Sequence, residues 1–171
     1  LERIEAAMQG MVNVFLNDYT MKKRLIGKGI LKPEDAYNLG AVGPVARGSG
    51  LAQDVRTSEY LAYQDIGFKP VTANGCDGYA RCEVRCKELF QSAEIIHKVI
   101  AAMPDGEVAV PVKGNPDGEY FSRSEQPRGE VIHYLRGNGT KYLTQFRVRT
   151  PTLTNVPSLV AMLAGAELAD V

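Results

Sequence analysis

The chain has 171 residues, with 20 lysines and arginines against 20 aspartates and glutamates, and 44% of its positions are hydrophobic. That length suits one compact domain with a real core, so a single domain over residues 1–171 is expected. The balanced charge and ordinary hydrophobicity exclude a disordered chain and the basic face of a nucleic-acid binder, and no stretch reaches the length of apolar sequence that a membrane-crossing helix needs.

The opening LERIEAAMQG carries charges where an export signal would be apolar, and an odd number of cysteines without disulfide spacing points to a reducing compartment. A first helix is predicted over residues 2–16, where Ile4, Ala7, Met8, Met11, Val12 and Phe15 recur at three and four. A short helix follows Lys32, with Pro33 in its first turn, Glu34 and Asp35 at its positive end and Gly40 as its stop. From residue 40 to 78 glycine, proline and aspartate replace helical periodicity, which predicts a long ordered loop of the kind that carries function or an interface.

Asp77 is placed to cap a long helix reaching about Met103, with Tyr79, Cys82, Cys86, Leu89, Ala93, Ile96, Ile100 and Met103 as its apolar stripe. A Gly/Pro-rich passage through Gly118 follows. Residues 130–136 and 141–149 then read as two strands joined by Gly137-Asn138-Gly139. In the second of these Tyr142, Phe146 and Val148 share one face, opposite Leu143, Gln145, Arg147 and Arg149. A closing helix is expected over residues 155–164, with Pro157 in its first turn. The fold class is α+β: a helical part over about residues 1–104 built on one long central helix, then an antiparallel hairpin and closing helix over about 118–171.

Three groups of residues carry chemistry. Gly43-Pro44-Val45-Ala46-Arg47-Gly48-Ser49-Gly50, followed by Asp54-Val55-Arg56, sets arginines beside an acid in a glycine-rich loop; a surface loop laced by an Asp–Arg pair explains it as well as an interface does. Gln126-Pro127-Arg128-Gly129-Glu130 precedes a strand and, alone, reads as a turn. Arg149-Thr150-Pro151-Thr152 follows a strand. If the hairpin pairs as predicted, Arg128 meets Thr150 to Thr152 at one edge, so that a guanidinium, a hydroxyl and a proline wall face one spot suited to a small anion or polar ligand.

Taken in order, GPVARGSG, DVR, DGYARCEVRCKELFQS, QPRGEVIHYLRGNGTKYLTQFRVRTPT and LADV resemble the large-subunit family of the nickel-iron hydrogenases and of the 49 kDa quinone-site subunit of respiratory complex I. The resemblance runs from about Gly29 to Val171 and implies a hydrogenase large-subunit-like fold. In the complex I branch lysine usually follows the proline of the first hairpin motif, and the second reads Ala-Pro-Gly; here Arg128 and Thr150-Pro151-Thr152 stand there, as in hydrogenases. The Arg-Gly-Ser-Gly loop is shared with complex I and points to the energy-converting, membrane-bound group. The resemblance implies that Arg128 hangs over the open position of a nickel-iron centre and that Pro151 and Thr152 line the pocket around the iron's diatomic ligands. Arg47, Asp54 and Arg56 remain an interface or structural motif.

The family's metal is held by two Cys-x-x-Cys pairs, and this sequence has neither. The expectation is therefore an internal fragment, inactive alone, that binds no cofactor itself and belongs to a complete subunit with a nickel-iron centre. Cys82 and Cys86 fall on the predicted apolar stripe and read as core; Cys76, His97 and His133 lack partners at ligand spacing. The implied partners are an iron-sulfur small subunit and membrane subunits, the implied location the cytoplasmic face of the cell membrane. Two rivals stay open: a complex I-like subunit whose cavity accepts quinone, and a non-catalytic assembly module.

Overall fold

The computed structural model describes residues 1–58 and 61–168; Ala169, Asp170 and Val171 of the LADV motif lie outside them. Helix α1 spans Glu2–Asn17 and α2 spans Tyr19–Leu25, with Asp18 between them accepting a hydrogen bond from the Met21 amide at 2.8 Å. That Asx cap restarts the helix where the sequence pattern simply ends it. Helix α3, Pro33–Asn38, has proline in its first turn and is followed by Gly40 at φ +67°.

The described residues of the predicted loop, 40–58 and 61–78, contain a one-turn helix α4, Pro44–Arg47, and 3-10 turns at Val55–Thr57 and Leu61–Tyr63. Backbone bonds brace it from both sides: Leu31 N to Cys76 O, Ala73 N to Arg47 O and Cys76 N to Gly48 O. Long helix α5 spans Gly78–Ala102 and is capped as expected, Asp77 Oδ1 accepting from Ala80 N at 2.8 Å.

The face that α5 buries matches the predicted one only in part. Ala93 of the predicted stripe is buried, together with Ala80 and Val84 outside it, whereas Leu89, Ile96, Ile100 and Met103 of the stripe are exposed. Cys82 and Cys86 are half-buried, and with Arg85 and Leu89 they face Met8, Met11, Val12 and Phe15 of α1 across a shallow apolar cleft. Large apolar side chains dominate the sequence pattern, but α5 lies close against α4 and its loop, where only small ones fit: a Cβ on Gly48 would stand 2.7 Å from Arg81 Cγ. The core is accordingly built mostly of small residues, Leu31, Ala36, Ala41 and Ala46 in one cluster and Ala73, Ala80 and Val84 in another.

The sheet has three antiparallel strands in the order β1 (Asp117–Gln126), β2 (Gly129–Asn138) and β3 (Gln145–Arg149). Strand β1 lies in what the sequence suggested was a Gly/Pro-rich passage and its sequel. Its serines, glycine and charges have little β-propensity, and its ten pairs with β2 hold it. The tight hairpin therefore turns at Pro127-Arg128, with Gln126 opposite Gly129, while Gly137-Asn138-Gly139 begins a longer connection to a β3 shorter than predicted. The register sets Leu135 opposite Phe146 and His133 opposite Val148, and the His133 ring stacks on Phe146 at 6.2 Å. One-turn helix α6 (Pro151–Thr154) and α7 (Val156–Leu163) close the fold. No described helix is long and apolar enough to cross a membrane.

Candidate functional site

Two neighbouring arrangements bring the sequence motifs together. The first is a glycine-on-glycine contact. Gly43 has φ +65° and ψ −147°, a region that only glycine occupies without strain, and a Cβ there would stand 2.4 Å from Arg128 O and 2.5 Å from Gly129 Cα. Gly129, at φ +123°, meets Gly43 N and the Val42 side chain from the other side. The backbone of the Pro-Arg-Gly turn thus rests directly on the Gly-Pro loop.

From a third direction Asn155, the residue between α6 and α7, clamps Val42: Asn155 Oδ1 accepts from Val42 N at 2.9 Å and Asn155 Nδ2 donates to Val42 O at 3.2 Å. Pro151 and Thr152 form the start of α6 just before that clamp, with Thr150 Oγ1 accepting from Thr152 N at 3.2 Å. Pro151 is buried, whereas Thr152 and Arg128 are exposed. The Arg128 guanidinium has no hydrogen-bond or ion-pair partner among the described residues and lines neither of the two cavities below.

If this contact sets the site, replacing Gly43 with alanine adds the strain of a disallowed backbone, roughly 1–3 kcal/mol, to a direct clash. Gly10, in α1, has open space around it, and alanine there is expected to stabilise by about 0.5–1 kcal/mol. Urea unfolding of the two variants side by side checks both signs.

The second arrangement is a buried ionic cluster. Arg47, 1% exposed, places Nη1 at 2.8 Å from Asp54 Oδ2 and 2.9 Å from Glu125 Oε1, and donates also to Gln53 O at 3.2 Å. Its Nε stands 2.8 Å from Glu88 Oε1 in a close ion pair. Arg56 closes a fork on Asp54, Nε to Oδ1 at 2.9 Å and Nη2 to Oδ2 at 2.7 Å, while its guanidinium lies 4.3 Å over the Phe68 ring. The Arg47–Asp54–Arg56 pattern legible in the sequence is therefore an anchor joining the loop to α5 through Glu88 and to β1 through Glu125, not a surface lacing.

Burial pushes the Glu88 carboxyl above the usual range, against the pull of Arg47 and Arg56. Glu125 is pushed up likewise by burial and by the charge of Asp54, again against Arg47. For Arg56 burial acts downward, but the hydrogen bond and charge of Asp54 outweigh it and raise the guanidinium. Burial also raises the Cys82 and Cys86 thiols, which keeps both protonated and poor as metal ligands.

A cavity of about 500 Å³ lies between the arrangements, lined by Val42, Gly43, Asp54, Arg123, Glu125 and Glu130. A second, of about 400 Å³, also borders the cluster, beside Arg56, Tyr63, Arg85, Glu88 and Glu125. Glu88, Glu125 and Asn155 escape a reading of the sequence because their partners lie far along the chain; the capping position of Asn155 before Pro157 is the one local signal.

A loop-borne site braced by a buried ionic anchor, at the root of a small sheet, defines the class of scaffold. The chain belongs to the family of the respiratory-chain NADH dehydrogenase 49 Kd subunit, whose pattern matches it in two pieces, residues 1–115 and 111–171. It is 38% identical to the membrane-bound hydrogenase subunit alpha of Pyrococcus furiosus, over 92% of this chain and 41% of that protein. To the carbon monoxide-induced hydrogenase of Rhodospirillum rubrum it is 35% identical over 100% of this chain and 48% of the relative. It is 39% identical to an NADH-quinone oxidoreductase subunit of Dehalococcoides mccartyi, over 86% of this chain and 41% of the relative. Among solved structures it superimposes on a chain of the membrane-bound sulfane sulfur reductase, an archaeal respiratory membrane complex, with a TM-score of 0.89 and 30% identity over 99% of this chain and 48% of that one. The chain thus spans about half the length, or somewhat less, of these relatives. The α+β fold expected of a hydrogenase-like large subunit is the fold found.

Proposed function

We propose that this chain forms the core of the catalytic large subunit of a membrane-bound, energy-converting nickel-iron hydrogenase, with Arg128, Pro151 and Thr152 beside the metal centre of the complete subunit. The observation that carries the reading is the meeting of the Gly-Pro loop, the Pro-Arg-Gly turn and the segment after Thr150 around Val42 and Gly43. The described residues include no group of three or more His, Cys, Asp or Glu side chains suited to a metal, so they do not fit as its ligands. They fit as its wall. When bound, the nickel-iron centre supplies the redox chemistry of H₂ and protons.

Around it Arg128 supplies a cation that keeps its charge at any working pH and whose donors no other described residue occupies. Such a preorganised charge stabilises charge separation in a water-poor pocket. Thr152 offers a hydroxyl to a buried acceptor that would otherwise go unsatisfied, and buried Pro151 gives a rigid apolar wall. The partners in this reading are an iron-sulfur small subunit and membrane subunits, with the subunit held peripherally on the cytoplasmic face.

A second reading, favoured by the likeness to the NADH-quinone oxidoreductase subunits, makes the same pocket a quinone site without metal. Hydrogen-deuterium exchange by the complete complex decides between them. The hydrogenase reading expects exchange activity that scales with nickel content; its absence, together with quinone-dependent electron transfer, establishes the rival.

A further inference from the structure

Helix α1 is formed but not covered. None of its 16 residues is buried, although Ile4, Met8, Met11, Val12 and Phe15 give it an apolar stripe. A helix of this length owes its stability mainly to the packing of such a stripe. Nor is α1 a loose arm. It runs antiparallel to α5 and is pinned at both ends, the Tyr79 hydroxyl donating to Leu16 O at 2.9 Å and His97 Nε2 standing 3.5 Å from Glu5 Oε1. The apolar side chains along this side nevertheless stay open: Met11 is 65% exposed and Val14 72%, and on α5 Leu89 and Ile100 are 48% and 60% exposed.

Two clefts border α1. One, of about 360 Å³, lies between Met8 and Val12 and the Cys82, Cys86 and Leu89 side chains of α5; the other, of about 510 Å³, is lined by Gly10, Val14 and Met21. Both include Met11 and Phe15, so together they form one apolar groove, and an exposed patch of this kind marks an interface. Gly10 gives the groove its notch. Glycine inside a helix costs stability, and a Cβ there would meet nothing within 4 Å, so no described neighbour requires it. The requirement then comes from an occupant whose backbone approaches α1 at this point.

The relatives show how much polypeptide is available to fill the groove. The chain superimposes over 99% of its own length, with a TM-score of 0.89, on only 48% of the solved chain, so α1 and α5 keep their places in a polypeptide of which about half lies outside the match. The hydrogenase relatives are matched over 41% and 48% of theirs. A second copy suits the groove less well, because a two-fold contact sets one concave notch against the same notch.

We propose that the groove along α1 seats a helix from the part of the large subunit outside these 171 residues, with its apolar side chains over Met11 and Phe15 and its backbone closest at Gly10. This rests on the reading of the chain as the core of a longer subunit, but not on the chemistry of that subunit. Cys82 and Cys86 report on the groove as they stand, since both are half-buried and line it.

Maleimide labelling, read peptide by peptide, is compared in this chain alone and in the complete subunit. Both thiols are expected to react about tenfold or more slowly in the complete subunit, because an occupied groove must open before the reagent enters. Gly10→Leu, which has open space in the chain alone, is expected to fill the notch and return the thiols of the complete subunit to the faster rate. Equal wild-type rates overturn the proposal whether or not the variant folds, as does a reading frame holding no further polypeptide. Protection of the chain alone that grows with its concentration assigns the groove to a second copy and overturns it too. So does protection that survives Gly10→Leu, a comparison made within the complete subunit that needs no folded fragment. Nickel content and hydrogen-deuterium exchange play no part in the readout, so a subunit that fails as a hydrogenase still tests the groove.

Discussion

Replacing Arg47 with methionine is expected to lower stability by about 3–5 kcal/mol, the usual consequence of removing one partner from a buried ion cluster. The loss is large because the side chain is 1% exposed and touches Asp54, Glu88 and Glu125 at once, leaving Arg56 alone against three carboxyls. Surface ion pairs behave differently: a loop arginine laced to a single acid contributes about 0–1 kcal/mol. The midpoint of urea unfolding separates the two cases, and a loss under about 1 kcal/mol contradicts the anchor role. The deficit also has a pH signature. Glu88 and Glu125 sit above their ordinary value of 4.5, so folding binds protons there, and stability falls as pH rises from that value through the folded pKa values. Without Arg47 the carboxyls lose the charge that draws them back down, the window extends upward, and the deficit is larger at about pH 8 than at about pH 5.

Replacing Arg128 with lysine in the complete subunit is expected to leave folding and metal content close to normal and to reduce turnover about a hundredfold or more, roughly 3 kcal/mol. Lysine keeps a positive charge, but one mobile ammonium replaces a planar fork of donors and can itself release a proton. Folding is spared because the side chain is exposed and has no partner among the described residues, while the contact with Gly43 uses only the backbone at this position. Exchange activity normalised to nickel content is the measurement. Wild-type turnover returns Arg128 to the role of an ordinary hairpin residue, a reading its place in a two-residue turn also accommodates.

What is legible in the sequence is whatever acts over a few residues. Asp77 as a cap, Pro33 at a helix start and Gly40 at its end are found because capping and turn chemistry are local. Strand β1 is missed because only Tyr120 and Phe121 in it favour a strand, and the register with β2 that makes it one is a property of two segments. The buried face of α5 is misjudged at Ala80 and Val84, though not at Ala93, because close approach to α4 selects alanine and valine, which an apolar stripe of large residues outweighs on paper. At the candidate site, order along the chain singles out Arg47, Asp54, Arg56, Arg128, Pro151 and Thr152 as candidates. The partners that position them, Glu88, Glu125, Asn155 and the facing Gly43 and Gly129, depend on long-range folding that no spacing rule encodes.

The family pattern parts at residues 111–115, inside the exposed stretch holding Val108, Val110 and Val112, which belongs to no helix or strand. Three contacts that unite the site cross this seam: Arg47 with Glu125, Val42 with Asn155, and Gly43 with Arg128 and Gly129. An exposed link of this kind tolerates added length at little entropic cost, so inserting a few glycine and serine residues there is expected to leave the three crossings in place.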